Sequence, residues 1–149
     1  MDGNQILKDI KKSFLVFRNG IISDTLRKAG MPYKVIFGLQ VPQLASISRM
    51  LHNEQLNGMD NAELTTVADM LWKDREVRES RLLAPYIYES ASVAIDKAKE
   101  LAADIRTREE ADMLAFRLFK RLPYREKLLS ELEAAGNTLA ASALRAHLS

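Results

Sequence analysis

The sequence predicts an all-α protein, and three observations carry that reading. Apolar residues recur three and four apart along most of the chain, the spacing that lines one face of an α-helix. Gly, Pro and capping-type polar residues interrupt the pattern at intervals suited to helices of about three to four turns. No run of alternating β-branched residues occurs, so no strand is assigned. A length of 149 residues fits one domain, taken as 1–149, with enough chain to bury a core without covalent staples.

The elements follow in order. Ile6, Ile10, Phe14 and Phe17 form the apolar face of a first helix, which Asn19-Gly20 ends. A second helix covers about Ile21 to Lys28 and stops at Ala29-Gly30-Met31-Pro32, a C-terminal Gly followed by Pro. Tyr33 to Gln40 reads as an irregular linker packed by Tyr33, Ile36 and Phe37. Pro42 then starts a third helix carrying Leu44, Ile47, Met50 and Leu51, because a first-turn Pro loses no helical hydrogen bond. Asp60 and Glu63 form a capping box before Leu64, Val67, Met70 and Leu71 of a fourth helix. The fifth is expected from Arg75 to Glu89, with Pro85 inside it bending the axis or marking a shorter helix. Ser92 is the expected cap of a sixth helix with Ile95, Ala98, Leu101, Ala102 and Ile105 as its stripe. Thr107 and Glu110 make a second capping box, opening a seventh helix through Leu114, Leu118 and Phe119. Pro123 to Glu133 and Thr138 to Leu148, parted by Ala135-Gly136-Asn137, complete the set. Such helices build either a closed bundle or a stack of helical pairs, and periodicity does not separate the two.

Composition narrows the function classes. With 47% hydrophobic and 28% charged residues the chain is globular rather than disordered. The absence of Cys rules out disulfides, thiolate metal sites and a thiol nucleophile, and suits a reducing compartment. Met1-Asp2-Gly3-Asn4-Gln5 lacks the order of a signal peptide, and no apolar run approaches the roughly 18 residues of a membrane span. A cytoplasmic protein with no membrane association is the expectation. His52 and His147 belong to no short metal-ligand pattern, so no metal site and no cofactor is expected. Nor does a nucleophile elbow, P-loop or dinucleotide fingerprint occur.

Net charge is only +2, but its distribution is uneven. Residues 1–50 hold eight Lys/Arg against three Asp, and Arg117, Lys120, Arg121, Arg125 and Lys127 are opposed within their segment only by Glu126. Gathered on one surface, such zones would face a polyanion; spread apart, they are solvated helix faces. Tyr124, beside Arg121 and Arg125, is the aromatic best placed for a base. Arg78 and Arg81, on adjacent turns, either pair with Glu79 and Asp74 or reach phosphates. Trp72 is expected to pack at a helix junction.

Two segments stand out: Phe37-Gly38-Leu39-Gln40-Val41-Pro42, and Met70-Leu71-Trp72 followed by Arg75-Glu76 and Arg78-Glu79. They resemble the phenylalanine-glycine and leucine-tryptophan segments of the DNA alkylation repair (AlkD-like) family, built of HEAT-like helical pairs. The resemblance covers about a third of the chain and fades beyond Ala84. It implies a HEAT-like α-solenoid (an alpha-alpha superhelix) of about four antiparallel pairs in a right-handed curl. It also implies a concave basic surface for duplex DNA and glycosidic cleavage of alkylated purines. Family members are longer, so a version without the last repeats is implied.

Cleavage of that kind needs a carboxylate against the developing positive charge and aromatic faces against the cationic lesion. The family's Trp-Asp-x-x-Asp-like segment corresponds best to Thr107 to Ala115. Asp112 matches its middle acid, whereas the aromatic position falls on Ala111 and the later acid on Ala115. No full catalytic set is therefore present; Asp112 or another acid, such as Glu109 three positions before it, is what a residual activity would use, and Arg145 is the nearest counterpart of a later family arginine. The reading is a non-catalytic DNA- or protein-binding module, with Arg78, Arg81, Arg117, Lys120, Arg121, Arg125 and Arg145 as nucleic-acid-binding candidates. An alkylpurine DNA glycosylase and a homodimeric interaction scaffold are the alternatives; the last helix, with Leu139, Leu144 and Leu148, is either a cap of the stack or a dimer face.

Overall fold

The computed structural model describes residues 2–148. Among them are nine α-helices and, in place of any strand, one isolated parallel bridge between Val35 and Val77. None of these helices is long and apolar enough to cross a membrane. The described chain falls into two compact units, divided after Ile87.

The first unit comprises α1 (Gly3–Val16), α2 (Gly20–Lys28), α3 (Val41–Asn53), α4 (Asn61–Lys73) and α5 (Arg78–Ile87). Their starts are chemically marked. The Asp2 and Asn19 side chains accept the Gln5 and Ile22 N–H groups, at 3.2 and 3.1 Å. At α4 the expected box is complete: Asp60 accepts the Glu63 N–H at 2.8 Å, and Glu63 accepts the Asp60 N–H at 3.3 Å. Each such cap contributes about 1 kcal/mol by satisfying donors that helix geometry leaves over. After α2, Gly30 takes φ 89°, and the Met31 N–H returns to the Leu26 carbonyl at 3.2 Å, closing the helix as its Gly-Met-Pro ending predicts. Ile10, Phe14, Leu44, Ile47, Leu71 and Leu83 fill the interior. Helix α4 packs on α1 and α5, and α3 on α5.

Helix α5 starts at Arg78, three residues later than expected. The Val35 N–H donates to Glu76 O at 2.9 Å and the Arg78 N–H to Val35 O at 3.1 Å, so the turn at 75–76 and the bridge at Val77 occupy the expected first turn of the helix. Pro85 lies inside, where it lacks the N–H that would bond the Arg81 carbonyl, and the helix stops two residues later, short of the expected Glu89. Every residue of α5 is buried, including Arg78, Glu79 and Arg81.

The second unit comprises α6 (Ile95–Ala103), α7 (Arg108–Arg117), α8 (Arg125–Ala134) and α9 (Thr138–Leu148). Ser92 is not the cap of α6. It closes a 3-10 turn, Ser90–Ser92, and its hydroxyl donates back to Glu89 O at 3.1 Å, leaving Ala94 at the N-cap. At α7, Thr107 accepts the Glu110 N–H as expected, at 3.2 Å. The fully buried Glu110 carboxylate also accepts the Arg106 N–H at 2.8 Å. Helix α7 also ends before Phe119: a 3-10 turn, Phe119–Arg121, carries Phe119 into the core beside Leu114, Leu118 and Leu122. Helix α9 has the expected bounds and packs on α7 and α8, which commits Leu144 to the core and leaves Leu139 and Leu148 half-buried.

Candidate nucleic-acid interface

The two segments that carry the family resemblance meet in the first unit. Backbone N–H groups of three successive residues converge on the Glu79 carboxylate: Phe37 at 2.9 Å, Gly38 at 3.1 Å and Leu39 at 3.3 Å. Such a run of donors makes a concavity suited to an anion, and here the protein fills it with its own side chain. The Arg78 guanidinium closes the arrangement, donating to Glu79 at 2.6 Å and to Leu39 O at 3.0 Å. The loop can come this close only at Gly38, which has φ 85° and where a Cβ would lie 2.3 Å from Asn19 O. Beside it Arg81 lies 3.6 Å over the Trp72 ring and donates to Trp72 O at 2.9 Å. Trp72 packs at the junction of α4 and α5, as expected. Arg78 and Arg81 are 5% and 0% exposed, so both belong to this interior network and neither offers a surface to phosphate. Of the two expected carboxylate partners, Glu79 takes Arg78, while Asp74 instead accepts from the Ser80 hydroxyl at 2.7 Å and pairs with Lys11 at 3.1 Å.

Ala111, Asp112 and Ala115, which the resemblance sets against an excision centre, lie on α7 of the second unit. Ala111 and Ala115 are buried in the core, at 1% and 0% exposure. Asp112 is half-buried and paired with Arg108 at 3.1 Å, and Arg108 also donates to the Ser142 hydroxyl at 3.2 Å. The carboxylate nearest the expected position is therefore engaged in an i,i+4 ion pair. Arg145 is likewise paired, with Glu133 at 2.8 Å.

The remaining cations follow the end of α7. Arg117 occupies its last turn, Lys120 and Arg121 the 3-10 turn, and Arg125 and Lys127 the start of α8. Arg121, Arg125 and Lys127 are exposed, whereas Arg117 and Lys120 are half-buried. Arg125 also donates to Leu122 O at 3.3 Å. Among them stands Phe116, at 36% exposure the one large apolar side chain of the second unit displayed to solvent among the described residues. Lys120 Nζ sits 4.3 Å from the Phe116 ring centroid, Arg117 Cζ 6.0 Å, and the His147 ring 5.7 Å.

No protein-family model, curated protein or solved structure matches this chain. The local chemistry has to speak for the site.

Tyr124, the aromatic singled out from sequence, serves the fold instead. Its hydroxyl donates to Val93 O, and burial raises its pKa above the usual 10.0. Phe116 is the residue that sequence reasoning misses. A signal exists: it lies two positions from both Leu114 and Leu118, hence on the opposite side of the helix from that core stripe. In the first unit Lys8, Lys12, Lys28 and Lys34 are exposed, but Arg27 is tied to Tyr33 O and Lys34 O and Arg18 to Leu15 O. That basic zone is thus partly consumed by helix and loop ends.

Proposed function

We propose that this protein is a nucleic-acid-binding module of the AlkD-like helical-repeat type, which holds duplex DNA and does not excise bases. The observation that carries the reading is the cluster of cations from Arg117 to Lys127, over the end of α7, the following turn and the start of α8, of which Arg121, Arg125 and Lys127 are exposed. Cations so grouped neutralise several phosphates at once and release condensed counterions. Lack of excision is supported by the methyl side chains at Ala111 and Ala115 and by the Asp112–Arg108 pair, which leave no unengaged carboxylate at the matched positions. A HEAT-like stacking of pairs is part of the same proposal, favoured by the successive short helices. Fluorescence anisotropy with labelled duplex DNA tests it: affinity should fall steeply as salt rises, and the absence of binding at low salt would refute it.

A second reading, a homodimer or protein scaffold, is favoured by a different observation. At the corner joining α1 to α2, Leu15, Val16 and Ile21 are 47%, 77% and 82% exposed. Apolar groups so displayed are often covered by a partner. If Val16→Asp with Ile21→Asp turns a dimer into a monomer in sedimentation while the wild-type chain ignores DNA, this reading replaces the first.

A further inference from the structure

Phe116 does something that duplex binding does not require. A cluster meant only for phosphates needs charge, and an aromatic ring on its surface costs hydration without adding any. The ring does, however, offer a π-face beside cations, the combination that holds unpaired bases: one base stacks on the ring while its phosphates meet the charges. In a duplex the base faces are stacked on one another and out of reach. We infer that Phe116, with Lys120, Arg117 and His147 around it and Arg121 on the adjoining turn, is a stacking site for an unpaired nucleobase, so that the module takes single-stranded DNA in preference to duplex. The inference rests on the nucleic-acid-binding reading and narrows its ligand.

The geometry supplies each part. Lys120 lies over the ring at 4.3 Å, a cation–π contact that a base can replace while the four-carbon stem swings the ammonium to the adjacent phosphate. His147, from the last turn of α9, borders the ring at 5.7 Å with an interplanar angle of 42°, so it flanks the ring rather than lying parallel to it. The nearest acid along this face of α7, Asp112, is paired with Arg108, which reduces its repulsion of an incoming phosphate.

The test compares three labelled probes of equal length by anisotropy at low salt: an oligothymidylate, a strand of abasic sites with the same phosphates, and a duplex. The oligothymidylate should bind most tightly. Phe116→Ala should weaken it about tenfold, the order expected for losing one stacked base, and leave the abasic strand and duplex unchanged. Phe116→Leu should behave like the Ala variant and Phe116→Trp like wild type, with circular dichroism confirming the fold of all three. Equal affinity for the thymidylate and abasic strands, or an unchanged thymidylate affinity in folded Phe116→Ala, overturns the stacking site while leaving backbone binding intact. Failure of all three probes to bind overturns both readings.

Discussion

Glu79→Gln is a nearly isosteric change at the most enclosed carboxylate of the first unit, and its cost can be worked from the surrounding bonds. Glu79 is fully buried, and its two oxygens accept three backbone N–H groups at 2.9 to 3.3 Å and the Arg78 guanidinium at 2.6 Å. An amide keeps one acceptor oxygen and turns a donor toward the others. At least one loop N–H then loses its acceptor, a penalty of about 1–3 kcal/mol, and Arg78 loses its counter-charge while 5% exposed. Breaking a buried pair from one side costs about 3–5 kcal/mol. Arg78 keeps its bond to Leu39 O, so the lower end is appropriate and the two penalties overlap: about 3 kcal/mol in all. That is a large part of the roughly 5–15 kcal/mol that stabilises a domain, and corresponds to a fall in Tm of about 6–12 °C for a chain of this size. Urea unfolding followed by the single Trp is the assay, since Trp72 stacks under Arg81 in the same network. A loss below about 1 kcal/mol, the value of an ordinary exposed pair, would refute the assignment of Glu79 as the anion that holds the loop.

The same loop predicts that Gly38→Ala costs more than about 2 kcal/mol, since strain at φ 85° adds to the approach to Asn19 O; a thermal melt reads it. Asp112→Asn should change stability by less than about 1 kcal/mol, because its ion pair is half-exposed, and urea midpoints check this. For Tyr124 the folded pKa lies above the unfolded 10.0, so its contribution is complete below that pH and is lost as pH rises through the folded value. Phenolate absorbance should lose a late-titrating component in Tyr124→Phe, and the same variant should flatten the alkaline loss of stability. Reversing Lys120 and Arg121 to Glu should weaken duplex binding and reduce the salt slope by about one for each phosphate no longer neutralised, read from anisotropy across a salt series.

Local chemistry is legible in the sequence, and long-range chemistry is not. The Asp60–Glu63 box, the Gly30 ending and the bounds of α9 each depend on residues a few positions apart, so spacing alone finds them. Helix α5 begins late because Val35, some forty positions upstream, binds the backbone at Glu76 and Arg78, which no local pattern announces. Ser92 illustrates a competition between neighbours: it is taken up in the Ser90–Ser92 turn, two residues short of Ala94, the N-cap position of α6. At the candidate site the charges are visible, but charge does not say which arginines are interior. Arg78 and Arg81 lie on a helix buried on all sides, whereas Arg121 and Arg125 do not. The motif that resembles a repair family proves to be the Glu79 anchor of the α2–α3 loop, a role in holding the fold.

The central claim, DNA binding without excision, is tested most directly by incubating the protein with methylated duplex DNA at a concentration and salt where anisotropy shows the DNA bound, then measuring free methylated purine. The account predicts a bound duplex and no release above the protein-free rate. Release that depends on the protein and disappears in Asp112→Asn would contradict it.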